Sequence, residues 1–160
     1  MRYATLTIIL ALLLAGSVLA AGSAPALAVD GAVSVSGAHA KVHAAALAVA
    51  RAEARLREAK HVESATRLYS GIYGAAVGRW VWAARRVGWQ WSEMGTLMLV
   101  VRTESGGDPN ALSPSGYYAG LMQFGRPWWE GKWDPFHGPT NLAKGEQAHD
   151  ANGWAPWPWL

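Results

Sequence analysis

The chain has no cysteine, only two phenylalanines and no apolar run long enough to cross a bilayer. The first absence removes disulfides, thiol nucleophiles and cysteine-ligated metals, and it denies the chain a lipid-modified cysteine anchor. Stability therefore has to come from packing. The main apolar run, Leu6 to Leu14, falls well short of the roughly 20 residues a spanning helix needs. It follows Arg2 and leads through small residues to Ala26-Leu27-Ala28. This is the layout of a secretory signal over residues 1–28 with an Ala-x-Ala cleavage site, so a secreted or wall-associated chain is expected. Retention of the segment as a membrane signal anchor is the alternative, and it leaves the rest of the chain facing outward.

Glycine and proline are missing from His39 to Leu68, where the chain is rich in alanine and charge. That composition predicts a long helical arm over residues 29–70. Val42, Val49 and Leu56 recur every seven residues, with Ala45, Ala52 and Ala59 three further on. Two heptads fall short of a coiled coil, so a spacer or packing arm and a monomeric protein are expected. His39 and His43 lie one helical turn apart, but no third ligand is in view, so no metal site and no cofactor is assigned. Residues 29–90 carry nine Lys or Arg against four acids, and residues 91–160 carry four against seven. A basic arm suits salt-screened adhesion to anionic wall polymers. Nucleic acid would suit the charge as well, but not the export signal, and a solvated helix face remains the plain alternative.

Glycines return at Gly71, Gly74 and Gly78 among Tyr69, Tyr73, Trp80 and Trp82, which reads as a linker over 71–84. A small single domain over 85–160 follows, only marginally able to bury a core of its own. The expected class is mainly α (α+β), with helices near 92–105 and 140–150 around a loop and short-strand region reaching Phe124. Gly145 inside the second helix costs roughly 1 kcal/mol against alanine, which points to close packing there. Ten tryptophans are present, six of them between Trp128 and Trp159. Indoles stack on pyranose rings and hydrogen-bond their rims. Most are expected in the core, with Trp128, Trp129 or Trp133 reaching a cleft. The segment Trp154-Ala-Pro-Trp-Pro-Trp-Leu160 is barred from regular helix by its prolines, and extended backbone packed across the domain is expected.

In the first of these helices Ser92 is a candidate N-cap and Gly106-Gly107 a stop. Met94, Leu97, Met98, Val101 and Glu104 follow one another at three- and four-residue steps, so the last carboxyl continues the apolar stripe. Burial and the carbonyl-rich helix end both favour its protonated form. The pattern alone leaves open a solvated, frayed last turn. A retained proton would make Glu104 a general acid.

The run from Glu104-Ser105 through Asn110, Ser113 and Gly116 to Gly120-Leu121-Met122-Gln123-Phe124 resembles the core of the soluble lytic transglycosylase (SLT) domain. Its family is lysozyme-like and cleaves the glycan strands of bacterial peptidoglycan. Trp129 to Phe136, Asn141-Leu142 and Gly145 resemble the continuation in secreted members, so the likeness runs over about residues 85 to 160. It implies that one Glu serves as acid and then as base while the muramyl 6-hydroxyl attacks internally, leaving a 1,6-anhydro end. Glu104 takes that role, and Ser105 would help orient it. Gln123 would bind the sugar or its acetamido group, Gly120 would allow close approach and Met122 would floor the cleft. Ser113, Asn141 and Trp129 complete the implied substrate-binding set. Hydrolases usually use two carboxyls. Asp108, Glu130, Asp134 and Asp150 are the available partners, and none stands out. One departure is that Ala148 stands where family members often have a Tyr near the catalytic Glu. Tyr117 or Tyr118 replaces it in space, the cleft differs, or activity is reduced. A water-using muramidase and a non-catalytic wall-binding protein are the alternative functions.

Overall fold

The computed structural model describes residues 35–160, so the expected secretory signal and the first residues of the arm lie outside the described residues. Two compact units divide the chain, residues 1–45 and residues 46–160. Helix α1, Val35–Tyr73, is longer at both ends than the Gly- and Pro-free stretch. In the first unit its residues Gly37 to Ala45 are exposed. Among the described residues no helix is long and apolar enough to cross a membrane.

The second unit is mainly helical, as expected. After α1 come α2 (Ala75–Gly78), α3 (Val81–Val87), α4 (Met94–Ser105), strands β1 (Tyr118–Ala119) and β2 (Phe124–Gly125), α5 (Arg126–Trp129) and α6 (Gly138–Asn152). The strands pair antiparallel, Tyr118 opposite Gly125 and Ala119 opposite Phe124. On α1 the heptad residues Val42, Val49 and Leu56 are exposed, and Val62 and Ala65 enter the core instead, backed by Tyr69 and Tyr73. That stripe packs because it meets the part of the chain read as a linker. Residues 71–84 are largely helical, and Val77, Gly78, Val81 and Ala84 are buried. A Cβ on Gly78 would lie 2.6 Å from the backbone nitrogen of Ser70, so glycine here serves close packing and not flexibility.

Helix α4 presents the expected apolar stripe, with Val100 buried in addition to Met94, Leu97, Met98 and Val101. Its start differs from the sequence reading. The N-cap is Glu93 without a side-chain cap bond, because Glu93 Oε2 accepts from the Gln90 amide at 2.9 Å and closes the preceding turn. The expected stop holds: Gly106 is left-handed (φ 64), and the amides of Gly106 and Gly107 return to the carbonyls of Arg102 and Val101. Trp89 is fully buried and donates to the Leu142 carbonyl at 3.0 Å, tying the chain before α4 to α6. Gly145 lies where a Cβ would sit 2.2 Å from Met122 Sδ, the close packing its place in a helix implied. Residues 154–160 turn repeatedly and are not extended, and they bury Trp157 to 4% exposure.

Candidate active site

Glu104 sits on the last turn of α4, half-buried, where the helix carries it into the margin of the core. Burial raises its carboxyl above the ordinary range, and a hydrogen bond from Trp159 opposes that rise. The bond is short: the Trp159 indole Nε1–H donates to Glu104 Oε1 at 2.7 Å. The turn that follows is held from the other side. Gly107 presses on the Ala76 carbonyl so closely that a Cβ would lie 2.3 Å from it. Its own carbonyl accepts from Trp80 Nε1 at 2.9 Å and Arg79 at 3.2 Å. The end of the helix is therefore fixed by α2 and α3.

The second motif is a tight structure built around one buried amide. Asn141 has no exposure; its Oδ1 accepts from the Met122 amide at 3.0 Å, and its Nδ2 donates to the Pro135 carbonyl at 3.0 Å. Gly120 makes room for this amide at φ 81, where a Cβ would stand 2.1 Å from the Pro135 oxygen. Gln123, at φ 50, has the one left-handed backbone among the described non-glycine residues. Its Nε2 donates to Gly120 and Ala111 carbonyls at 2.9 and 3.1 Å, which holds the amide in place. Strained backbone of this kind costs about 1–3 kcal/mol and collects at functional sites.

Gln123 and Met122 line a groove of about 510 Å³ together with Tyr117, Tyr118, Phe124, Trp128 and Trp157. A second hollow of about 450 Å³ shares Trp128 and Asn152 with it and is lined by Trp133, Lys132, Lys144 and Ala148. Glu104 lines neither. It is joined to the groove by the segment 154–160. Trp157 donates from Nε1 to the Met122 carbonyl at 3.2 Å, and two residues on Trp159 reaches Glu104.

Of the residues expected to bind substrate, Met122 and Gln123 stand in the groove. Asn141 and Gly120 do not; both are buried parts of the scaffold, since every polar contact of Asn141 is with backbone. Ser105 Oγ donates to the Val101 carbonyl and accepts from Gly107, so it closes the helix and makes no bond to Glu104. Ser113 Oγ accepts from the Tyr118 amide at 3.0 Å and shapes the turn before β1. Trp129 and Trp133 both pack on the core, Trp129 donating to the Phe124 carbonyl and Trp133 also lining the second hollow, and Trp128 is the exposed indole of the three.

Among the described residues no second carboxyl joins Glu104. Asp108 and Asp134 each accept a backbone amide two residues on at 2.9 Å, as residues before proline in turns do. Glu130 pairs with Arg126 at 3.7 Å on the surface, and Asp150 is exposed. Ala148 is 3% exposed, and neither Tyr117 nor Tyr118 bonds Glu104; they meet each other edge-on at 4.8 Å. Sequence reasoning missed Arg79, Trp80, Trp157 and Trp159. The alternation of Trp with Pro in residues 154–159 was the available signal, because it keeps indoles from being spent inside a helix.

Residues 85–129 match the family described as the Transglycosylase SLT domain. The match covers the approach to α4, Glu104 and its turn, both strands and the groove residues Tyr117 to Trp128, and it stops before Asn141, Ala148 and Trp159. No curated protein and no solved structure matches the chain.

Proposed function

We propose that this chain cleaves the β-1,4 bond between MurNAc and GlcNAc in peptidoglycan, with Glu104 as acid and then base, and releases 1,6-anhydromuramyl ends. The SLT match implies lytic-transglycosylase-type cleavage of peptidoglycan at the level of the family. The observation that carries the finer reading is Glu104 itself, a half-buried carboxyl with a raised pKa and, among the described residues, no second carboxylate beside it. Such a group delivers its proton to the bridging oxygen as the C1–O bond breaks, and C1 gains positive charge. The Glu104 carboxylate then takes the proton from the C6 hydroxyl of the same sugar, whose oxygen closes on C1. Proton and bond counts balance without a water molecule. The groove lined by Tyr117, Tyr118, Trp128 and Trp157 offers aromatic faces for pyranose rings, and Gln123 offers an amide for their polar rims.

A secretory leader would bring the enzyme to its substrate, and the basic arm would hold it on anionic wall polymers. Adhesion of that kind weakens with salt, which co-sedimentation with walls at rising ionic strength reads directly. The cleavage reading is tested by digesting sacculi with the mature chain and weighing the fragments. Fragments lighter by one water than reducing-end products are expected from the wild type. Glu104→Gln should release none while still sedimenting with the walls. Reducing ends would make the enzyme a muramidase, and clearing by the variant would remove Glu104 from the chemistry.

A further inference from the structure

The bond between Trp159 and Glu104 has no role in the reading above, yet among the described residues it is the one side-chain hydrogen bond the candidate acid makes. We propose that Trp159 is the positioning residue of Glu104: its indole N–H fixes Oε1 as an acceptor, so that the proton is carried on Oε2 and presented to the glycosidic oxygen. The inference rests on the proposed cleavage reaction. It stands on three observations.

The first is elimination. Ser105, the neighbour expected to orient the acid, is committed to Val101 and Gly107. Ala148 offers only a methyl group, and Tyr117 and Tyr118 face the groove without reaching the carboxyl. The second is anchorage. Trp159 is itself 43% exposed, but Trp157 two residues before it is buried and bonded to Met122, and Trp154 stacks on Trp89 at 5.5 Å. Pro156 and Pro158 stiffen the stretch between these anchors. The donor is therefore delivered by a pinned segment, which is what holding a carboxyl to a fixed orientation requires.

The third is chemistry. An indole can only donate, so it favours the carbonyl oxygen of a carboxylic acid, the better acceptor, and leaves the other oxygen to carry the hydrogen. It also tempers the acid. Burial alone pushes the carboxyl up, the Trp159 bond pulls it down, and no cation or second carboxylate contributes. A residue that must give a proton and then take one back needs both forms within reach.

The test is Trp159→Phe, which keeps a ring and removes the donor. On peptidoglycan, kcat should fall roughly ten- to a hundredfold, the span of one hydrogen bond to a charged group, with KM little changed. The high-pH limb of the rate profile should move to higher pH, because the downward pull on Glu104 is gone. A readout free of activity accompanies it. In the 15N-labelled full chain, the Trp159 indole cross-peak should move as Glu104 titrates, and Glu104→Gln should abolish that movement. A variant that clears walls faster than wild type would mean that Trp159 covers the acid, and the proposal would be overturned. So would an indole peak that ignores Glu104 in an active enzyme. A peak that follows Glu104 in a chain unable to cleave peptidoglycan would dismiss the cleavage reading while leaving the positioning contact intact.

Discussion

At the scale of single residues, Glu104 and the indole that bonds it come from two kinds of backbone, a regular helix and a proline-broken turn. Glu104 could be placed because helical periodicity is local: four apolar residues on α4 set a direction, and the carboxyl lies on its continuation. Trp159 lies 55 residues further along, and its contact depends on how a turn-rich, proline-broken segment returns to the domain, which no short-range pattern encodes. Burial of an acid also has a thermodynamic signature. The folded pKa of Glu104 is raised above its unfolded value, so the stability it contributes is fully present below the ordinary carboxylate range and is lost as pH rises through the raised value. Glu104→Gln removes that loss while keeping an oxygen for the Trp159 donor. Thermal midpoints of wild type and variant should lie together in acid and separate toward neutrality, the variant becoming the more stable. Glu146 titrates with the same sign in both proteins and cancels from the difference. Midpoint curves that stay parallel over the whole pH range would mean that Glu104 is as well solvated in the folded chain as in the unfolded one.

At the scale of elements, the helices were legible and the polar joints between them were not. α4 and α6 fell within two residues of the expected spans at each end, since apolar stripes and the Gly106 stop are sequence-local signals. The Ser92 cap failed because Ser92 lies in the turn before the helix, which starts at Met94 after Glu93, and the Glu93 carboxylate turns back onto the Gln90 amide. Asn141 was read as a substrate ligand because it matches a family position. Its burial shows that such a position can serve the fold: one amide joins the Met122 amide, the Pro135 carbonyl and the first turn of α6. Replacing it with alanine strands a buried N–H and a buried C=O. With each unsatisfied group costing about 1–3 kcal/mol, Asn141→Ala should lose about 2–6 kcal/mol in urea unfolding. A loss below about 1 kcal/mol would mean that water reaches these groups and that the joint is not sealed.

At the scale of the whole molecule, the family-like segment shares its core with the helices that precede it. A domain beginning at residue 85 looked small for its task, and the structure supplies the missing part from before that residue. Val62 and Ala65 on α1, Val77 on α2, and Val81 and Ala84 on α3 all belong to the same apolar cluster as Leu97, Met98 and Leu142. Polar ties follow the same route: Arg85 bonds Glu58 at 2.9 Å, and the Trp91 ring lies between His61, stacked at 3.9 Å, and the Arg85 guanidinium at 4.9 Å. Composition hid this because an alanine-rich, charged helix and a glycine-bearing stretch resemble an arm and a linker when no partner surface is in view. The compact unit runs from Ala46, and its beginning falls within α1. A fragment of residues 46–160 should therefore unfold in one cooperative transition, whereas residues 85–160 should show no such transition and should expose apolar surface to a hydrophobic dye. The shorter fragment loses whole core side chains at about 1.5–3 kcal/mol for each large one, more in total than the stability of an ordinary small domain can absorb. Cooperative unfolding of residues 85–160 would show that α1 to α3 lean on a finished domain; its absence would make them part of what holds Glu104 in place.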